Sequence, residues 1–271
     1  MEATKPWRVA VLADIHGNLR ALDAVLGELE KERPDFIVFG GDVASGPFPR
    51  QVLERLMALR QEKGERVLFV CGNADREIVA AFDRMRAGRQ IPDRSQEENP
   101  ALLFGSWAAE RIDREQRDFL AGFQARIALP VTGLGSALFC HGSPRSDEEI
   151  ITRFTSRERL NRLLAGVQEK VVVCGHTHHQ FDLRTGGARV VNAGSVGMPY
   201  EGRPGAYWAL LGPGVELRRT EYDAARAVEE AMGTDYPDPD YPETILHPPE
   251  SGEVAEYFEN IALEREQGGA G

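Results

Sequence analysis

Five short apolar runs mark the first two-thirds of the chain: Val9-Ala10-Val11-Leu12-Ala13, Phe36-Ile37-Val38-Phe39, Val67-Leu68-Phe69-Val70-Cys71, Ala137-Leu138-Phe139-Cys140 and Val171-Val172-Val173-Cys174. Four or five residues are too few for a helix, and the runs do not alternate with polar residues. That pattern belongs to strands covered on both faces. Between the first three runs the spacing changes to that of amphipathic helices. Leu22, Val25, Leu26 and Leu29 recur at helical intervals within 19–33, and Pro34 ends the stretch. Pro47-Phe48-Pro49 opens a second helix carrying Val52, Leu53, Leu56 and Leu59. Strands over 7–13, 35–39 and 66–71, separated by these helices, make a parallel βαβαβ unit.

From 75 to about 123 the pattern is helical and more polar, broken over 91–100 by a charged stretch that ends in Asn99-Pro100. It predicts a helical cap, inserted at about 76–124, that could close over a site. Strands over 125–131 and 136–140 flank Thr132-Gly133-Leu134-Gly135, a hairpin signal. A helix follows over 156–167, with Thr155 and Glu158 spaced as a capping box, and then the strand at 170–174. Further hairpins turn at Thr185-Gly186-Gly187 and at Gly212-Pro213-Gly214, the second joining runs 206–211 and 215–220. A helix over 223–232 closes the main domain, expected to span 1–235. Residues 236–271 read as a C-terminal appendage: an extended proline-rich arm over 236–249, a short helix over 254–266 and a frayed Gly-Gly-Ala-Gly end.

Seven polar residues stand just beyond the apolar runs, in Asp14-Ile15-His16, Gly41-Asp42, Gly72-Asn73, His141-Gly142 and Gly175-His176-Thr177-His178. Ligands of open α/β sheets gather outside the carboxyl ends of the strands, so this placement favours one assembled site. Carboxylate oxygen mixed with imidazole nitrogen suits a pair of divalent ions, Mn²⁺ preferred, with Fe, Zn, Co or Ni also accommodated. Two such ions about 3.5–4 Å apart acidify a shared water, polarise phosphoryl oxygens and hold nucleophile and phosphorus in line. Cys71, Cys140 and Cys174 end apolar runs without a C-x-x-C pair and read as packing residues rather than disulfides or thiolate ligands.

Net charge is −11, from 32 basic against 43 acidic residues, which disfavours non-specific nucleic-acid binding. It leaves room for a small phosphate ester, because bound cations reverse the local field. No apolar stretch is long enough to span a bilayer and the first seven residues lack a signal-peptide core, so the expectation is a cytoplasmic protein without a membrane partner. The proline-rich arm offers a means of homo-oligomer formation.

Asp-x-His, Gly-Asp, Gly-Asn, His-Gly and Gly-His-Thr-His, in this order, resemble the motifs of the calcineurin-like metallophosphoesterases. Asn192-Ala193-Gly194-Ser195-Val196-Gly197 and Glu221-Tyr222-Asp223 resemble those of its small bacterial phosphodiesterase-like branch. The resemblance implies an α/β fold, a four-layer αββα sandwich of two mixed sheets with the small helical cap. It implies hydrolysis of a phosphodiester by a metal-bridging hydroxide. One ion would take Asp14, His16, Asp42 and His178; the other would take Asp42, Asn73, His141 and His176, with Asn73 also close to substrate phosphate.

Two departures from the family pattern matter. Many members have His after Gly-Asn as a leaving-group acid, where this chain has Ala74; Asp75, His179 or a metal-bound water are the substitutes. The Asp-Arg-Gly of serine/threonine phosphatases and dinucleoside polyphosphate hydrolases is missing, which speaks against those two activities. The alternatives are a phosphomonoesterase using the same site and a non-catalytic metal-binding scaffold, since the superfamily contains a retromer scaffold subunit. Asn192 and Ser195 could line the site or form a turn, and Trp107 could stack a base or pack the cap. Arg76, Arg145 and Arg153 could reach a phosphate or lie on the surface. His179 reads as a solvated neighbour and His247 as a surface residue.

Overall fold

Strand β1 (Val9–Leu12) sends Val9 and Val11 into one hydrophobic cluster and Ala10 and Leu12 into another. The unbroken apolar run therefore serves two cores at once. The same holds for β6 (Val171–Cys174), where Val171 and Val173 face one way and Val172 and Cys174 the other. In this computed structural model, residues 7–88, 100–184 and 187–268 are described. The charged break over 91–99, the Thr185-Gly186 turn and the last three residues lie outside them.

The first sheet takes β2 (Phe36–Phe39) and β3 (Val67–Phe69) parallel to β1 on one side. On the other, β9 (Ala206–Leu211) and β10 (Val215–Thr220) form an antiparallel pair, giving the order β10-β9-β1-β2-β3. The second sheet consists of β4 (Arg126–Val131), β5 (Gly135–Cys140), β6, β7 (Phe181–Arg184) and β8 (Arg189–Asn192), ordered β4-β5-β6-β8-β7. Val9, Val11, Val38, Phe139, Val171, Val173 and Val191 pack between the sheets.

Helices α1 (Leu19–Glu32) and α2 (Pro49–Lys63) cover the outer face of the first sheet. The segment expected as a cap supplies α3 (Asn73–Arg86), α4 (Pro100–Ala109) and α5 (Arg114–Ala121). These bury Ile78, Phe82, Trp107 and Leu120 in the same core as α1 and α2, joined by Ile112 from the turn between α4 and α5. Trp107 packs there, its Nε1 donating to the Asp235 carbonyl at 2.9 Å. The outer face of the second sheet is covered by α6 (Arg157–Leu163) through Leu160 and Leu163, which completes an αββα sandwich.

Helix α6 starts one residue later than its sequence signal. Ser156 is the cap, accepting from Arg159 N, because the Thr155 hydroxyl is engaged by Thr152 N and Glu259 instead. Helix α7 (Ala224–Met232) follows β10 and packs against α1. The segment 236–249, expected as extended, contains helix α8 (Tyr241–Leu246), with Tyr241 and Ile245 buried against α7. Pro242 sits in the first turn, where the missing N–H costs nothing. The final helix, α9 (Ser251–Gly268), is pinned to α6 by Arg159, which donates to Glu259 at 3.0 Å and Glu266 at 2.9 Å. No helix among the described residues is long and apolar enough to cross a membrane.

Candidate metal centre

All seven sequence-identified residues come together where the carboxyl ends of β1, β2, β3, β5 and β6 converge. Asp14 and His16 follow β1, Asp42 follows β2, and Asn73 opens α3 just after β3. His141 follows β5, and His176 and His178 follow β6. Donor atoms of Asp14, His16 and His178 lie within 4.8 Å of one another, and so do those of Asp42, His141 and His176. Each group takes members from both sheets.

Between the groups stands Asp42, with Oδ2 3.3 Å from His141 Nε2 and 3.9 Å from His16 Nε2. Asn73 joins the second group, its Oδ1 3.2 Å from His141 Nε2.

The turns that aim these side chains are conformationally unusual. Among the described residues, six non-glycine residues have left-handed backbone, and five are Asp14 (φ 55°), His16 (45°), Asp42 (54°), His176 (66°) and His178 (57°). Each such residue costs roughly 1–2 kcal/mol, and local hydrogen bonds offset that cost. Asp14 N donates to Gly41 O and His16 N to Asp42 O, both at 3.0 Å. Gly197 N and the Ser195 hydroxyl donate to Asp14 O, at 3.0 and 2.7 Å. Asn192 Nδ2 donates to Gly175 O at 2.6 Å and to Thr177 Oγ1 at 3.0 Å. Asn192 and Ser195 thus brace the loops.

Close approach explains two of the glycines in these turns. At Gly72 a Cβ would collide with Asp42 Oδ1, and at Gly175 it would lie 2.5 Å from Asp14 Oδ2.

Asp75 is tied to the backbone of the Asp42 loop. Its carboxylate is buried and accepts from Asp42 N (2.8 Å), Val43 N (2.9 Å) and Gly72 N (3.0 Å). Both oxygens are occupied in fixing the Asp42 loop. Burial first, and then the charge of Asp42, push its pKa up to about 7 against the pull of those amides.

The ring nitrogens are ordered. His16 Nδ1 faces Ser45 O at 3.0 Å, His178 Nδ1 faces Met198 O at 2.8 Å, and His141 Nδ1 faces Gly40 O at 2.8 Å. A carbonyl can only accept, so each Nδ1 carries the proton and each Nε2 turns inward. Tyr200 stacks on the His178 ring at 4.8 Å between centroids, and Phe258 of α9 lies 6.4 Å beyond it.

Divalent cations fit this donor set. Asp14 Oδ1 is buried with no hydrogen-bond partner, 3.3 Å from His178 Nε2. Burial alone would raise the pKa of Asp14 and Asp42, but the imidazoles, His178 foremost for the first and His141 for the second, hold both below the ordinary range. Burial, helped by His141, pushes His176 down to about 4. For His141 burial also opposes charge, yet Asp42 and Asp14 prevail and raise it to about 10. The two carboxylates thus draw positive charge into the cluster, and a cation would displace that proton.

The other candidates lie outside this cluster. His179 is fully buried rather than solvated, because Thr177 O holds its Nδ1 at 2.9 Å and turns the ring inward beside Phe181. Arg76 pairs with Asp147 and Glu148, and Arg145 with Glu149. Arg153 donates to Ser251 Oγ at 2.8 Å. His247 is exposed. The three cysteines are free, and burial pushes the Cys71 and Cys140 thiols up to about 12.

The calcineurin-like phosphoesterase superfamily domain matches residues 7–211. The chain belongs to the calcineurin-like phosphoesterase superfamily. An uncharacterised protein of Methanocaldococcus jannaschii is 24% identical over 249 residues, covering 85% of this chain and 94% of that protein. A hypothetical protein of Pyrococcus horikoshii shares the fold at a TM-score of 0.73 and 22% identity, over 90% of this chain and 99% of its own. A metallophosphoesterase of Sphaerobacter thermophilus does so at a TM-score of 0.67 and 24% identity, over 89% and 98%. Both coverages exceed the share of the chain that the family domain spans.

Proposed function

We propose that this calcineurin-like phosphoesterase hydrolyses small phosphodiesters with two divalent cations, Mn²⁺ preferred. The first would be held by Asp14, His16, Asp42 and His178, the second by Asp42, Asn73, His141 and His176. The observation that carries the reading is the facing pair of donor groups, each within 4.8 Å, with Asp42 of the second 3.9 Å from His16 of the first. Bound there, the cations would supply an acidified water and withdraw charge from the phosphoryl oxygens.

The protein's own residues do the rest. Asn73 turns Oδ1 toward His141, which leaves Nδ2 to donate to a phosphoryl oxygen. Asn73 is also the first residue of α3, so the positive end of a 14-residue helix points at the substrate phosphate. Asp75 keeps the Asp42 loop in register and acts as a positioning residue.

The test is hydrolysis of bis-p-nitrophenyl phosphate and p-nitrophenyl phosphate after chelation and reloading with Mn²⁺. Metal-dependent cleavage of the diester above the monoester is expected, and Asp42→Asn or His141→Ala should abolish it. Faster cleavage of the monoester would make the chain a phosphomonoesterase. No cleavage of either by protein carrying two metals would favour a scaffold, the reading to which Ala74 lends its support.

A further inference from the structure

Hydrolysis of a diester with an alkyl leaving group expels an alkoxide that needs a proton, and Ala74 cannot give one. The protonatable side chains around Asn73 are mostly committed. His16, His141 and His178 turn Nδ1 to carbonyls and Nε2 to the metal cluster. Both oxygens of Asp75 accept from backbone amides. His179 is enclosed behind Thr177, and Arg76 is held by Asp147 and Glu148.

Glu77 differs from all of these. It lies on α3 four residues after Asn73, so the two side chains share a helix face and Glu77 leans back toward the end that carries Asn73. Helix α4 closes over it through Gly105, whose missing Cβ would stand 3.5 Å from Glu77 Cβ. Among the described residues Glu77 Oε2 is buried without a hydrogen-bond partner, while the residue as a whole stays partly open. In that setting a charged carboxylate costs far more than a neutral carboxylic acid with a proton to give.

The geometry points to Glu77 as the acid that protonates the departing alcohol. This assignment rests on the phosphodiesterase reading. Water supplies the incoming oxygen and releases a proton to solvent, the bond from phosphorus to the leaving oxygen breaks, and that oxygen takes the Glu77 proton. The products are a phosphomonoester and an alcohol, and the Glu77 carboxylate regains its proton from solvent. Burial first, and then the negative charge of Asp42, raise the Glu77 pKa, which shifts the balance toward the acid form.

A series of aryl methyl phosphates running from p-nitrophenyl to phenyl tests the assignment, with wild type and Glu77→Gln each reloaded with Mn²⁺. For the variant, kcat/KM should fall about 100-fold with phenyl as leaving group and less than about 3-fold with p-nitrophenyl. Its basic limb of the pH profile should vanish, metal stoichiometry should stay at that of wild type, and the infrared carboxylic-acid band assigned to Glu77 should disappear. Equal loss across the series, no loss, or an unchanged acid band would overturn the assignment. If Glu77→Gln does not fold, wild type alone decides: its leaving-group dependence must steepen as pH rises above the Glu77 pKa, and a constant slope refutes the role. Wild type inactive toward every ester would instead overturn the phosphodiesterase reading itself.

Discussion

His16 and His178 face each other nitrogen to nitrogen, with Nε2 atoms 3.1 Å apart and both Nδ1 atoms taken by backbone carbonyls. Two ring nitrogens that both present lone pairs repel at that distance, and a shared positive charge turns the repulsion into attraction. The chelated protein should bind two equivalents of Mn²⁺, and His178→Ala should bind one, as read by isothermal titration and elemental analysis. Loading should raise the thermal midpoint of wild type, because a ligand that binds only the folded state stabilises it. One equivalent for wild type, or two for the variant, would refute the paired-site reading.

Asp75→Asn exchanges an acceptor for a donor beside the amides of Asp42, Val43 and Gly72. Residues that orient ligands from behind are worth about 10–100-fold in metal affinity. The variant should lose affinity within that range while remaining folded by circular dichroism. Unchanged affinity would show that the Asp42 loop keeps its shape without this carboxylate.

Gly72→Ala puts a methyl group against Asp42 Oδ1, in a place closed by the backbone of Asp42. Overpacking of this kind costs about 1–3 kcal/mol. The urea midpoint should fall accordingly, with the metal stoichiometry reduced because Asp42 stands between the two groups.

Arg159→Ala leaves Glu259, a mostly buried carboxylate, without its cation. Breaking a buried pair costs about 3–5 kcal/mol. Helix α9 should detach, which limited proteolysis between α8 and α9 would reveal. Tyr200 would then lose Phe258 as its neighbour.

His179 sets a pH dependence of stability. Burial first, with Arg153 adding to it, lowers its pKa from 6.5 to about 4. Because the folded value is depressed, the unfolded chain takes up the proton first. Stability from this group is present above pH 6.5 and is lost as pH falls toward 4, by about 3 kcal/mol at 1.4 kcal/mol per pH unit. Denaturation midpoints of His179→Gln should change less than those of wild type across that window.

The sandwich was legible in the sequence because its strands serve two cores: a run such as Val171-Val172-Val173-Cys174 has no polar face to give water. The clustering of the seven polar residues was legible for a related reason, since each follows such a run. What stayed hidden depends on partners distant in the chain. Asp75 was one of three candidate acids, and nothing local reveals that the amides of Asp42 and Val43 come to meet it. His179 looked exposed because the side to which the loop turns is set by Thr177 O. The prolines of 236–249 suggested extension, yet burial of Tyr241 and Ile245 outweighs them where Pro242 falls in a first helical turn. Nothing in the spacing showed Arg159 to be the seat of α9, with Glu259 a hundred residues away.

The left-handed backbone at Asp14, His16, Asp42, His176 and His178 also determines what could be moved into another protein. Copying the seven side chains onto the ends of ordinary strands would preserve the composition and lose the aim, since extended backbone there would splay the donors. The transplantable unit is larger. It comprises the loops, Gly72 and Gly175, the braces Asp75, Asn192 and Ser195, and two sheet edges held in register. Engineering such a centre is first a problem of reproducing unfavourable torsions, and only then one of choosing ligands.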